Sequence, residues 1–366
     1  MPLLSHLFYT AVLMVGSCSA APRQGRTFSV SQQLVNPGYR LHGAHQMLKT
    51  HAKFGKTPLE RVVATVQSSS GPVVATPVDA FDGEYLCLVT PSSQSSGHRL
   101  YQPSSTAKQL NGYTWSIRYG DGSQAAGVVY TDAVTIGGVT YASQAVEADT
   151  SVSSQLVSNR ADGFVGLAFN NDNQVKPIQQ KTFLSGISPS LQSPTMVANL
   201  KYHGPGTYDF GYINSSRYTG SITYTNVNPS SGFWQIAVSG YGSSPFNAIV
   251  DTGSSLIYLP SAILSAYYSK VSGAQNSNVY GGWVVPCGAT LSNLSLRIGT
   301  FNAVVPGKYI VYGPVGGGSF TCYAGLQDGS NLGFAILGDI FIKSNMVVFD
   351  NSASPRIGLA VPANLP

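Results

Sequence analysis

The chain has 366 residues, of which 43% are hydrophobic and only 10% charged, with 40 glycines and 21 prolines. An average soluble domain is about a quarter charged, so coiled coils and disordered tails, which need many charges or few large apolar groups, are excluded. The net charge of +5 is also uneven. Residues 21–70 hold seven basic side chains (Arg23, Arg26, Arg40, Lys49, Lys53, Lys56, Arg61) and one acid, Glu60, whereas from Gly71 onward 13 Lys and Arg face 14 Asp and Glu. A nucleic-acid groove needs its positive charge on the folded body, so no nucleic-acid partner is expected.

In chain order, Leu7–Gly16 is an apolar run of ten that leads into Cys18-Ser19-Ala20. It is too short to span a bilayer and reads as a signal peptide over residues 1–20, so the protein is expected to be secreted, with no membrane span. Residues 21–70 read as a basic pro-segment with a helix over His42–Phe54, ended by Gly55 and Pro58. His42, His45 and His51 fall in it and are expected on solvated surface, with acid-triggered release of the segment as the functional alternative. From Val73 the pattern turns to β. Alternating stretches at Gly112–Tyr119, Gly127–Ile136, Gly220–Val227 and Trp234–Ser239 predict strands, and Leu256–Val271 predicts a helix.

The cysteines follow the compartment. Cys287 and Cys322 enclose 34 residues and in an oxidising setting would pair as a disulfide, with two separate buried thiols as the alternative. Metal-ligand spacing is absent, with no C-x-x-C or H-E-x-x-H, so neither metal nor cofactor is expected. Asn214-Ser215-Ser216 and Asn293-Leu294-Ser295 permit glycosylation.

The sharpest motif is Ala248-Ile249-Val250-Asp251-Thr252-Gly253-Ser254-Ser255-Leu256. An apolar strand delivers an Asp into a tight turn whose glycine allows close backbone approach, and the hydroxyls can hold the carboxylate. Ile336-Leu337-Gly338-Asp339 follows with Gly338 87 residues after Asp251, and it has an earlier echo in Asp162-Gly163-Phe164-Val165-Gly166-Leu167. A Tyr-Gly-Asp-Gly-Ser hairpin lies upstream at Tyr119–Ser123. Together these motifs, with Phe28-Ser29-Val30 and Glu84-Tyr85-Leu86, resemble the pepsin-like aspartic endopeptidases, nearest in texture to their secreted fungal members, over nearly the whole chain.

The resemblance implies an all-β, bilobal fold with short helices, an N-terminal lobe over 71–213 and a C-terminal lobe over 214–366. It implies that Asp251 is the catalytic carboxylate of the second lobe, supported by Thr252 and Gly338, with Gly253 and Ser254 lining the cleft. Tyr119, Gly120 and Asp121 would form the flap tip. Lys53, followed by Phe54, resembles the pro-segment lysine that plugs the cleft, and Cys287–Cys322 matches the family's second-lobe disulfide. Protein or peptide substrates, acid pH and a monomer follow from the same likeness.

One part is missing. The family uses two facing aspartates that share a proton, one acting as base on a water and the other as acid, yet only one Asp-Thr/Ser-Gly is present. Thr90 runs directly into Pro91-Ser92-Ser93, and Tyr85 and Tyr119 are only 34 residues apart. The shortfall is roughly 20–25 residues, about two strands with their turns. Asp79 and Asp82 are not substitutes, because no apolar strand delivers either. The expectation is an acid endopeptidase whose chain as written is inactive or strongly impaired. The alternatives are a non-catalytic pepsin-like protein that binds peptides or glycoproteins, and a dimer that pairs Asp251 across two chains.

Overall fold

The computed structural model describes residues 25–31, 43–57, 59–62, 101–118, 124–153, 164–241, 245–316 and 318–363. The signal peptide, His42, the side chain of His45, Asp79, Asp82, the Glu84–Leu86 strand, the Thr90–Pro91 junction, the Tyr119–Asp121 flap tip and Asp162-Gly163 lie outside them.

Strand β1 (Phe28–Ser31) and helix α1 (Gly43–Lys53) come first. Next are β2 (Lys108–Arg118), β3 (Gln124–Ile136) and β4 (Val139–Val152), an antiparallel three-stranded sheet. Inward residues alternate along β3, as one buried face requires. Arg118 stands opposite Gln124. One part of this sheet packs on a small apolar cluster of Trp115, Ile117, Ala125, Val129 and Val175, while Ile136 and Val139 at the β3–β4 end join the large core.

After α2 (Phe183–Ile187) come β5 (Thr195–Lys201), β6 (Gly204–Phe210) and β7 (Tyr218–Asn226). The second half contains β8 (Gln235–Val238), β9 (Phe246–Val250), β10 (Ile257–Leu259) and α3 (Ser261–Tyr268). It continues through β11 (Gln275–Ser277), β12 (Gly282–Pro286), β13 (Leu294–Ile298), β14 (Phe301–Val305), α4 (Gly307–Ile310), β15 (Val311–Pro314) and β16 (Thr321–Ala324). It closes with β17 (Leu326–Asp328), β18 (Ala335–Leu337), α5 (Asp339–Ser344), β19 (Met346–Asp350) and β20 (Arg356–Pro362).

A six-stranded sheet in the order β1-β6-β5-β19-β20-β7 joins the two halves of the chain. The N-terminal strand β1 forms one edge, pairing Phe28 with Phe210, whose rings stack at 4.5 Å. A second sheet, β17-β10-β18-β9-β8, carries the Asp-Thr-Gly turn. Here β18 runs parallel to β9 and antiparallel to β10. Strands buried on both faces read as continuous apolar runs, as Ala248-Ile249-Val250 and Ala335-Ile336-Leu337 do.

The helix expected over Leu256–Val271 is corrected. Ile257–Leu259 is a buried strand between β17 and β18, and only Ser261–Tyr268 is helical. Burial on both sides favours the strand, and Pro260 ends it, because proline removes a ladder donor while its fixed φ suits a helix start. Cys287 and Cys322 are joined as a disulfide.

Candidate active site

Strand β9 ends at Val250 and delivers Asp251, 2% exposed, into the turn. Two backbone crossings hold that turn. The Asp251 amide donates to the Leu337 carbonyl at 3.1 Å, and the Asp339 amide donates to the Ser254 carbonyl at 2.7 Å. Gly338 lies where these segments cross. A Cβ there would run into the carbonyl oxygens of Ser254 and Leu256, which is why the residue 87 positions after Asp251 is glycine. The carboxylate itself is fixed locally: the Gly253 amide donates to Oδ1 at 3.0 Å and the Ser254 hydroxyl to Oδ2 at 2.6 Å. Thr252 is partly buried beside it.

Across from this turn sits α1. Lys53 Nζ donates to both carboxylate oxygens of Asp251, at 2.8 and 2.6 Å, and the two side chains are 4% and 1% exposed. Burial pulls the Lys53 ammonium below its ordinary pKa. Asp251 opposes that shift by charge and hydrogen bond, and Asp339 and Asp172 add smaller contributions. Lys53 is thus a buried cation paired with Asp251.

The helix is seated along its length. A Cβ at Gly43 would fall inside the Tyr323 ring. The Tyr323 hydroxyl meets Met47 Sδ at 2.7 Å, and the Tyr258 hydroxyl donates to the Gln46 carbonyl at 3.3 Å. Phe54 is edge-on to Phe233 and Phe334, with centroids at 5.9 and 5.2 Å. Among the described side chains of α1 only Lys49 is exposed.

His51 therefore departs from the expected solvated surface. It is fully buried, with Nδ1 against the Met47 carbonyl at 2.8 Å and no partner at Nε2. Its ring stands edge-on to Tyr258. Burial lowers its pKa, against the Met47 hydrogen bond and the more distant charge of Asp328.

The structure thus brings together Asp251, Gly253, Ser254, Gly338 and Lys53, and places Thr252 in the same turn. The Cys287–Cys322 disulfide joins β16 to the end of β12. Tyr119, Gly120 and Asp121 lie outside the described residues. Sequence reasoning missed Tyr258, Tyr323, Phe233 and Phe334, because each meets α1 from about 180 residues or more downstream and no local pattern signals such a contact. Among the described residues no group of three His, Cys, Asp or Glu side chains could hold a metal ion, and no helix is long and apolar enough to cross a membrane.

The family model described as eukaryotic aspartyl protease matches residues 67–362. Aspergillopepsin-1 of Aspergillus fumigatus is 48% identical over 374 aligned positions, covering 93% of this chain and 94% of that protein. Penicillopepsin-3 of Penicillium janthinellum is 43% identical, with 92% of each covered. The aspartic protease pepA of Leptosphaeria maculans is 42% identical over 401 positions, covering 97% and 98%. The fold is shared with the crystal structure of the aspartic proteinase from Irpex lacteus, at a TM-score of 0.62 and 23% identity, covering 75% of this chain and 88% of that one. With its Asp-Thr-Gly turn crossed by Ile336-Leu337-Gly338, the chain belongs to the eukaryotic aspartyl protease family and is by family an aspartic-type endopeptidase.

Proposed function

We propose that this chain is the zymogen of a secreted acid endopeptidase, with Asp251 as the catalytic carboxylate of its second lobe and residues 21–70 as an inhibitory pro-segment. The observation that carries this is the bidentate pairing of Lys53 with Asp251, which places a pro-segment cation on the carboxylate that would bind and activate water. The match to the family model from residue 67 onward supports a pro-segment that lies outside the enzyme proper.

In the mature protein, Gly253 and Ser254 would orient the Asp251 carboxylate toward a water, and Tyr119, Gly120 and Asp121 would close over the peptide. Hydrolysis needs a second carboxyl group to protonate the peptide carbonyl while the first accepts the proton of the water. The chain contains one Asp-Thr-Gly. General acid–base assistance of about 10²–10⁴-fold is therefore absent, and the chain as written is inactive or strongly impaired. The comparisons with relatives run over 374 and 401 positions, more than the 366 residues here, so those relatives carry residues that this chain lacks. That supports an omitted first-lobe segment between Thr90 and Pro91.

Sequencing the transcript across the codons for Thr90 and Pro91 tests this. An in-frame insertion encoding an apolar strand and Asp-Thr/Ser-Gly restores the pair and makes the product an acid protease. A contiguous junction, with no acid proteolysis after removal of the pro-segment, favours the second reading, a non-catalytic protein that binds peptides or glycoproteins in the surviving cleft. The cleft already accommodates the peptide segment α1, which makes that reading physically reasonable. A dimer pairing two Asp251 residues requires a doubled mass in solution, and a monomeric mass removes it.

A further inference from the structure

We infer that Asn214 carries an Asn-linked glycan that shields the open edge of the six-stranded sheet. The inference rests on the secretory reading above, because such glycans are added along that route. The chain has two Asn-x-Ser/Thr sequons, at Asn214 and Asn293, and the structure distinguishes them.

At Asn214 the sequon folds on itself. The side-chain Oδ1 accepts from the Ser216 amide at 3.0 Å and from the Ser216 hydroxyl at 2.8 Å, capping the 3₁₀ turn Ser215–Arg217. Both of these side-chain contacts use Oδ1, and among the described residues Nδ2 has no hydrogen-bond partner. Asn214 is partly exposed, and Ser215 and Ser216 are exposed. Glycosylation uses the free atom. Nδ2 attacks the anomeric carbon of a lipid-pyrophosphate-linked oligosaccharide, the C–O bond to the pyrophosphate breaks, that group leaves with its electron pair, and Nδ2 gives up one proton to a base. Oδ1 keeps both of its hydrogen bonds, so the sugar costs the fold nothing at this position.

Asn293 differs. Its Oδ1 accepts from the Gly307 amide at 3.0 Å, a bond that exists only after 14 residues, including β13 and β14, have closed. A chain that is still folding can form the Asn214 turn from three adjacent residues but cannot form the Asn293 arrangement locally.

The location gives the glycan a role. Asn214 leads into β7, which among the described residues is an edge strand paired with β20 on one side. The sequence of β7, Tyr218-Thr219-Gly220-Ser221-Ile222-Thr223-Tyr224-Thr225-Asn226, has no charge and no proline, and Tyr224 is 37% exposed. A long uncharged edge strand invites pairing with another chain. A hydrated oligosaccharide at its entrance blocks that approach.

The protein supplies its own control. Asn228-Pro229-Ser230 makes the same turn, with the Ser230 amide at 3.1 Å and its hydroxyl at 2.7 Å from Asn228 Oδ1. Proline in the middle position excludes it as an acceptor. Ser215→Pro therefore removes the sequon while keeping a turn that this chain already builds, and the extended backbone of Asn214 (φ −81, ψ 109) suits a following proline.

The test is to express the full chain in a eukaryotic secretory host, once with its own leader and once with a proven one. Material from the medium is deglycosylated enzymatically in heavy-oxygen water, and the Asn214 peptide is weighed. The expected result is a labelled aspartate at position 214 in the wild type, its complete loss in S215P, and earlier aggregation of S215P at equal concentration. An unmodified Asn214 peptide in protein secreted with the proven leader overturns the proposal, as does a mark that survives in S215P. If only the proven leader delivers glycosylated protein, the site stands and the secretory reading of residues 1–20 fails. The wild-type map decides the matter even if S215P does not reach the medium.

Discussion

Replacing Lys53 by methionine tests whether the ion pair, rather than apolar packing, holds α1 over Asp251. Both charged groups are almost fully buried, so removing one leaves the other with little solvent to compensate it. Such a truncation costs about 3–5 kcal/mol, which is roughly a 10²- to 10⁴-fold increase in the undocked population. K53M strands the Asp251 carboxylate, and D251N strands the Lys53 ammonium. The double variant K53M/D251N removes both charges and keeps the Phe54, Met47 and Gly43 contacts, so it is expected within about 1–2 kcal/mol of the wild type. Amide hydrogen exchange of residues 44–54 at pH 7 reads the opening free energy directly. Two losses of about 3 kcal/mol or more that largely cancel in the double variant establish the coupling. Full protection of α1 in K53M, or simple addition of the two losses, refutes the reasoning.

Acid should also release α1 through His51. Its pKa is lowered when buried, so the docked state binds fewer protons than the released one. Docking is then strongest above pH 6.5 and weakens by up to about 1.4 kcal/mol per pH unit below it, until the docked-state pKa is passed. H51L should flatten this dependence between pH 7 and 5, and an unchanged slope would sink the idea. Glu147 has the opposite sign. Burial raises it to about 7 against the hydrogen bond from Asn173, so its contribution is complete below pH 4.5 and is lost as pH rises through 7. E147Q should remove on the order of 2 kcal/mol of acid-favoured stability, allowing for partial solvent access, and melting curves at pH 4.5 and 8 check this. The double replacement C287S/C322S opens a loop of sequence separation 35 and should cost about 3–4 kcal/mol; a Tm equal to the wild type would count against that figure. Gly338→Ala forces a Cβ onto two carbonyl oxygens. It should lose at least about 3 kcal/mol, and a variant as stable as the wild type in urea would show that the crossing can relax.

The second half of the site could be read from the sequence because its information is local. Ile249-Val250-Asp251-Thr252-Gly253 states an apolar strand, a carboxylate and a close-approach glycine within five residues, and Gly338 repeats the close-approach requirement where the crossing strand ends. The pro-segment was harder. Lys53 was suggested by resemblance alone, and His51 was misread as a solvated residue because the composition of α1 is that of a surface helix. Its burial comes from Tyr258, Tyr323 and the turn at Asp251, all about 200 residues or more away. The strand at Ile257–Leu259 was misread for the same reason: neighbouring strands β17 and β18, not local propensity, decide its state.

The two halves of the molecule bear on the proposed loss of a first-lobe aspartate. In the second half, Asp251 is held by a strand crossing whose members, β9, β10 and β18, are themselves buried in the large apolar core. The carboxylate and that core are one construction. In the first half, the β2–β3–β4 sheet packs partly on a separate cluster of Trp115, Ile117, Ala125, Val129 and Val175, and reaches the large core through Ile136 and Val139. If the segment proposed to be absent at Thr90–Pro91 is a strand and turn like Val250–Gly253, its loss would remove packing together with the acid. On that reading, replacing another side chain by Asp would not restore activity, because the Gly166 echo of Gly338 would have no strand-delivered turn to cross. Only an inserted strand and turn would restore both. Reinstating that segment should thus raise stability and acid proteolysis together, and a gain in one without the other would break the link between them.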